Sequence, residues 1–409
     1  MSQLIDSVLR SLPTFSHRCS EVVDQLARGR SVLWLFPKGA PREMAVDVVL
    51  RECQKRGLDH RAVTVSGAEP PLIELWRSVH GRAPRQVPDL RQLVAHNDTA
   101  RLYVLQGLQD LDSVTQAKWL DLLVSWSRAV QQASSFEPPD YLPRVLLVPL
   151  EGSAPVEERS DTYLVTMRFW GWATLSETRL IARVVAEEVG LTYERALWLE
   201  CVSSELAVGD PGLLRELALE CRRVQAVEDH VPTLREIGSG RGWDSQLLSQ
   251  LRAHRFSIPV HSGNSHHLSK TEAELWHKGL LCWTPERGAE IHSAALAILG
   301  LEPEIRHRAW RGQVGFFLPL LDTLRLRLCA HVAHGPTVDF SMEFKELASS
   351  LSQAMPEGNR VYSSILTLKR CRDALAHAAP LRVTEFEDAI RAVRHIYADI
   401  DFSSGAFAV

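Results

Sequence analysis

Arg372, Asp373 and His377 stand close together in the hexapeptide Arg-Asp-Ala-Leu-Ala-His, shortly before Pro380. An Arg holds a phosphate, and a His moves a proton near neutral pH. An acid beside them can orient either group. These types, at this spacing, are the minimum equipment for cutting RNA without a metal. Each also has a plainer reading: an Arg on a helix is commonly solvated or ion-paired, and a His near a helix C-terminus commonly complements the helix dipole.

A second constellation follows the apolar run SVLWLF at 31–36. The segment Pro37-Lys38-Gly39-Ala40-Pro41-Arg42-Glu43 occupies the place of a phosphate loop, G-x-x-x-x-G-K-[ST], whose backbone N–H groups cradle phosphates. It holds a single glycine, two prolines that remove amide donors, and no Lys-Ser or Lys-Thr pair. Lys38 or Arg42 can grip a phosphate, but each also reads as a solvated loop cation. Gln106 ends the third strand-like run, where an acid would position Mg²⁺. Asp110 and Asp112 lie further on and would compensate only if the loop shifted.

The surrounding elements explain how such residues would be placed. Apolar runs at 31–36, 60–67, 100–108 and 143–152 alternate with helical stretches at 43–56 and 115–132, and 162–172 offers a last strand. This alternation predicts right-handed βαβ units in a doubly wound parallel sheet. Residues 160–250 turn helical, with Gly209-Asp210-Pro211 at the entry to one helix. The stretch 254–270 reads as a linker; 274–296 reads as helix end, strand, turn and strand, a winged-helix-like module. From Glu304 onward helical periodicity dominates. In 306–332, Trp310, Val314, Phe317, Leu321, Leu324 and Leu328 form an apolar stripe, with Pro319 expected to kink the helix. Ile365, Leu368 and Leu375 form the buried stripe of a later helix, and Arg372 borders it. In the last helix Thr384 is the expected cap, with Glu387 at the capping-box position. The expected organisation is an α/β domain over 1–160, a helical lid over 161–253, the linker and winged-helix-like module over 254–300, and an all-α domain over 301–409.

Composition sets limits. The 409 residues carry a net charge of −4, which argues against a chain-wide nucleic-acid footprint but permits a local basic surface. The seven cysteines are scattered and never paired as C-x-x-C, which predicts neither a disulfide framework nor a cysteine-rich zinc site. A reducing cytoplasm is expected, with no signal sequence and no membrane span. His254, His261, His266 and His267 lack an accompanying Cys or acid and read as polar linker, so no metal and no cofactor are expected. No G-x-S-x-G elbow occurs, and the tryptophans sit in apolar patterns that suit packing.

Two resemblances add to this. Over roughly 20–225 the strand properties, the helical lid and the Gly209-Asp210-Pro211 step resemble the AAA+/STAND class of P-loop NTPases, in which a G-x-P step of the lid sits near the adenine. The departures fall on the residues that do that chemistry, so Lys38, Gly39, Arg42 and Gln106 imply at most a degenerate nucleotide site: a pseudo-ATPase sensor or scaffold. Over about 304–400 the Arg-Asp-x-x-x-His pattern, the flanking RDALAHAAPL and the earlier WRGQVGFFLPLLDTLR, with Asp322, resemble a HEPN domain, a bundle of four or so helices.

That second resemblance implies internal transesterification of RNA. The ribose 2′-hydroxyl attacks the neighbouring phosphorus and the 5′-oxygen departs, leaving a 2′,3′-cyclic phosphate. His377 would be general base or acid, Arg372 would stabilise the phosphorane, and Asp373 would orient one of them. Lys369, Arg370, Arg360 and Arg308 would steer the RNA backbone. Positions 372 and 377 are roughly 140° apart at about 100° per residue, so a site using both is easier to build across the two-fold axis of a homodimer. Modules joined this way resemble prokaryotic antiphage and other conflict-system proteins. The alternatives are a non-enzymatic adaptor in a defence complex with a partner protein, and a working ATPase with an unorthodox loop.

Overall fold

The computed structural model describes residues 3–84, 86, 88–95, 100–134, 144–152, 161–253, 269–333, 339–354, 358–400 and 402. Two compact units share them, one built from residues 1–174 and 249–290, the other from 175–248 and 291–409.

The first unit holds β1 (Ser31–Phe36), β2 (His60–Thr64), β3 (Leu102–Gln106), β4 (Val145–Glu151) and β5 (Leu164–Arg168) in the order β2-β3-β4-β1-β5. Every pairing is parallel, with Val32 opposite Leu147 on one side and Val165 on the other. Parallel strands need crossovers, and helices at Arg42–Lys55, Pro71–His80 and Ser113–Ser134 supply them. All six residues of β1 are buried, as an unbroken apolar run in a doubly covered sheet requires. Even Ser31 is inside, its hydroxyl accepting from the Leu146 N–H at 3.0 Å. Trp34, Phe36, Phe15 and Phe169 pack around β1 with ring centroids 4.6 to 5.7 Å apart. Gly107 turns the chain after Gln106 with φ +90°, where a Cβ would stand 3.0 Å from the Val65 carbonyl oxygen.

The same unit contains the helix Lys270–His277 and the hairpin of β6 (Leu281–Thr284) and β7 (Gly288–Ile291), the expected helix-strand-turn-strand. The Trp283 indole stacks on Trp170 at 5.6 Å and lies so near Gly171 that a Cβ there would come within 2.1 Å of it. The all-parallel sheet with covering helices fits a P-loop-like α/β domain.

The second unit is helical. Its axis is the 31-residue helix Glu302–Val332, which runs on through Pro319. Phe317, Leu321, Leu324 and Leu328 are buried as their spacing predicts. Val314 is only half-buried, and Gln313 takes the inner position instead, fully buried. Gly312 lets this helix approach the Tyr193–Leu206 helix, since a Cβ there would overlap the Cys201 carbonyl oxygen at 1.9 Å. Helices Phe344–Ala354, Gly358–Ala376 and Val383–Asp399 complete the C-terminal part. The last begins two residues earlier than the Thr384 cap would set: Glu385, not Glu387, accepts the Arg382 N–H at 2.8 Å, and Thr384 is already helical.

All seven cysteines are free thiols, and burial pushes the Cys19 thiol up to about 12 and the Cys53 thiol up to about 11. Among the described residues no helix is long and apolar enough to cross a membrane. Nearly all of the 254–270 linker and its four histidines lie outside the described residues.

Candidate functional site

The loop after β1 can be accounted for donor by donor. Pro37 and Pro41 have no N–H. Lys38 gives its amide to the His277 carbonyl at 3.0 Å, Ala40 to Pro37 at 3.2 Å and Arg42 to Ala40 at 2.7 Å. Gly39, at φ +91°, donates to Glu151 Oε1 at 3.1 Å. The Arg42 guanidinium lies 3.6 Å from Glu151 Oε2 and 3.9 Å from Glu43. Every amide from Lys38 to Arg42 therefore already has an acceptor, whereas a phosphate cradle needs several pointing at one empty place. Gln106 is exposed at the end of β3, and its carbonyl accepts from Val65 at 2.8 Å. Asp112 accepts the Val114 and Thr115 amides and the Thr115 hydroxyl, which is the work of a helix N-cap. Those bonds hold its carboxyl below the usual range. Asp110 pairs with Gln109 at 3.0 Å.

In the helical unit, Asp210 of the Gly-Asp-Pro step faces inward. It is buried, caps its helix through the Leu213 N–H at 2.9 Å, is ion-paired with Arg241, and meets His292 Nε2 at 3.0 Å. Burial alone would push its carboxyl up; Arg241 and the His292 hydrogen bond outweigh burial and hold it far below the carboxylate range. His292 Nδ1 accepts the Ala294 N–H, so Nε2 carries the proton that Asp210 receives. Burial lowers the His292 pKa, against the pull of that Asp210 hydrogen bond.

Arg372, Asp373 and His377 come at the end of the helix Gly358–Ala376. Ile365, Leu368 and Leu375 are buried and Arg372 borders them, as the stripe predicts. The Arg372 guanidinium pairs with Glu343, lies 3.4 Å from Asp373 and sits 5.9 Å from the Phe344 ring centroid. The Glu343 hydrogen bond, the largest influence, raises its pKa further. Asp373 also holds Lys369 at 2.6 Å, and that hydrogen bond lowers its carboxyl. His377 is exposed, and its ring makes no hydrogen bond to a described residue.

The backbone around His377 is tightly held. Ala378 is in the left-handed region at φ 57°, the one non-glycine residue there among the described residues. Its N–H reaches the Leu375 carbonyl and the Ala379 N–H reaches Ala374, which is the Schellman pattern of a helix end. The long helix clamps this turn from outside. Trp310 Nε1 donates to the Leu375 carbonyl at 2.6 Å, and the Gln313 amide takes both the N–H and the carbonyl of Leu381 at 2.6 and 3.0 Å.

The basic residues divide. Arg370 and Arg360 are exposed, the latter 3.7 Å from Asp399. Lys369 is half-buried against Asp373. Arg308 is a correction to the sequence reading: it is buried, with its guanidinium on the Ile291 carbonyl at 2.7 Å and Glu304 at 3.4 Å, and offers nothing to a polyanion.

Sequence reasoning missed Glu151, Glu343 and Gln313, and placed Trp310 only in an apolar stripe. Glu151 and Glu343 meet their partners only through the fold. Gln313 had a readable signal, a polar side chain three residues from Trp310 and four from Phe317, on the face that must be buried.

No family model matches the chain, and no curated protein matches it. Among solved structures, a chain of the Aeropyrum pernix ORC2 protein in ADPNP–ADP complexes matches at 13% identity, covering 71% of this chain and 93% of that one, with a TM-score of 0.32. So low a score carries no argument, and the α/β assignment stands on the sheet itself.

Proposed function

We propose that this protein is a component of an antiphage or other conflict system, with an AAA+/STAND-like pseudo-ATPase module and a HEPN-type, metal-independent endoribonuclease domain. The observation that carries the nuclease half is the presentation of His377: an exposed imidazole on a clamped turn, just past the helix that carries Arg372 and Asp373. In this reading His377 moves the proton of the 2′-hydroxyl or of the departing 5′-oxygen. Arg372 stabilises the phosphorane. Asp373, which touches Arg372, orients the guanidinium. Arg360, Arg370 and Lys369 steer the backbone, and a second copy of the chain completes the site. The pseudo-ATPase half is supported by the loop after β1, where the amides of Lys38, Gly39, Ala40 and Arg42 are engaged within the protein. The bridge from these modules to defence is analogy.

A specific observation favours a second reading. Arg372 is engaged by Glu343 and Asp373, which is what an inert surface charge network looks like. In that reading the protein is a non-enzymatic adaptor. RNA cleavage in the presence of a chelator, by wild type, Arg372→Ala and His377→Ala, separates the two. Cleavage that both substitutions abolish, by a particle of dimer mass in gel filtration, supports the nuclease. Cleavage by none of them leaves the adaptor.

A further inference from the structure

Two groups of the loop after β1 suit an anion, the Gly39 amide and the Arg42 guanidinium. An anion already sits on them. It is the chain's own Glu151, 112 residues beyond Gly39, with Oε1 taking the amide at 3.1 Å and Oε2 lying 3.6 Å from Arg42. Both side chains are largely shielded, Arg42 19% and Glu151 27% exposed, and a cavity of about 490 Å³ opens beside them.

We propose that Glu151 is a built-in substitute for a phosphate group, and that this cradle takes a single inorganic phosphate or phosphate monoester once the carboxylate is gone. The inference rests on reading the α/β unit as a non-hydrolysing P-loop-like module, and gives the physical reason for it. Carboxylate and phosphate oxygens are interchangeable acceptors for an amide and a guanidinium. Glu151 is tethered at the end of β4, so it fills the place without the entropy loss a free ligand suffers.

The rest of the cavity wall sets the size of the anion. Arg10 is held by Asp47 at 2.8 Å, and Asp47 is shared with Arg51 at 3.0 Å. Asp6 and Glu43 also line the cavity, and Asp6 Oδ1 is buried with no hydrogen-bond partner among the described residues. One phosphate replaces one carboxylate. A triphosphate tail would have to lie along Asp6, Glu43 and Asp47, and like charges repel it.

The test is thermal unfolding of the full chain, wild type and Glu151→Ala, with inorganic phosphate, with ATP, and with potassium chloride at matched ionic strength. Glu151→Ala is expected to melt below wild type, and about 10 mM phosphate to raise its Tm by about 2–4 °C while leaving wild type unmoved. ATP is expected to do no better than phosphate. Adding Arg42→Gln to Glu151→Ala is expected to erase the rescue. Equal phosphate shifts in wild type and Glu151→Ala, or none in either, overturn the proposal. If Glu151→Ala does not fold, Glu151→Gln keeps the size and loses the charge. Equilibrium dialysis must then show more phosphate bound to it than to wild type, and equal binding overturns the proposal. ATP turnover by wild type would sink the pseudo-ATPase reading by itself; absent rescue with no turnover sinks only the role of Glu151.

Discussion

The loop at 37–42 and the turn at 377–381 are built to the same standard and end with opposite chemical prospects. In both, the backbone amides are paired. The loop gives its amides to His277, Glu151 and its own carbonyls. The turn is closed by its Schellman bonds and gripped by Trp310 and Gln313. Phosphate cradling is done by backbone amides, so saturation extinguishes it. Proton transfer is done by a side chain, so saturation of the turn only holds the imidazole still. A motif is silenced when its working atoms find partners inside the protein, whatever the residue letters say.

The sharpest way to break this contrast is through Asp210, a third motif-like place whose working atoms are all engaged inside. Asp210→Ala leaves Arg241 and His292 without their shared carboxylate in a buried setting and removes a helix cap. A loss of about 3–5 kcal/mol in urea unfolding is expected. A variant that unfolds like wild type would show that this cluster is not a structural clamp, and would reopen a ligand-facing role for the step.

Gln313→Leu attacks the turn itself. It keeps the volume of the side chain but orphans the N–H and carbonyl of Leu381, both buried under it. The expected cost is about 2–4 kcal/mol, with faster hydrogen exchange at the Leu381 amide. Unchanged exchange would mean that the clamp does not hold the segment carrying His377.

Much of this was legible in the chain. SVLWLF and PRVLLVPLEG, apolar without alternation, read as strands covered on both faces, and they are the adjacent strands β1 and β4. The stripe Ile365, Leu368, Leu375 fixed which side of its helix is buried and left Arg372 at the border. What escaped is pairing at long range. No local pattern says that Glu151 will lie against Gly39, or that Glu343 will take Arg372, because those contacts follow from how strands and helices pack. Arg308 misled for the same reason. As a letter beside Arg306 and Arg311 it belongs to a basic run, and only packing shows it buried on the Ile291 carbonyl.

His277 tests the saturated loop by pH. Its carbonyl holds the Lys38 amide, while its ring is fully buried and neither nitrogen has a hydrogen-bond partner among the described residues. Burial, with Arg168 and Lys278 adding to it, pushes its pKa from 6.5 down to about 3; the Phe36 carbonyl pulls weakly the other way without reaching hydrogen-bond geometry. Above pH 6.5 the ring is neutral folded or unfolded and has no effect. As pH falls from 6.5 toward 3 the unfolded chain binds a proton that the folded one refuses, so stability drops by up to about 1.4 kcal/mol per unit, about 2 kcal/mol by pH 5. His277→Leu is expected to flatten this slope between pH 7.5 and 5, with His292 keeping part of it. An unaltered slope would show that the ring is solvated and that the wall behind the loop is open.

The smallest expected effect is at Ala378, and its sign is informative. An L-residue with a Cβ in the left-handed region costs about 1 kcal/mol or more, and glycine is the usual occupant of this position in a Schellman turn. Glycine relieves that strain but also enlarges the freedom of the unfolded chain, so the net gain for Ala378→Gly is about 0.5–1 kcal/mol. The bonds from 378 and 379 back into the helix are backbone bonds and survive the change, as do the Trp310 and Gln313 contacts. His377 therefore stays where it is, and under the nuclease reading the cleavage rate is unchanged while the unfolding midpoint rises. A variant that gains stability and loses cleavage would locate the function in the stiffness of the turn, beyond the bonds that hold it. A variant that loses stability would mean that the turn is not strained, and that the contrast with the loop rests on side-chain exposure alone.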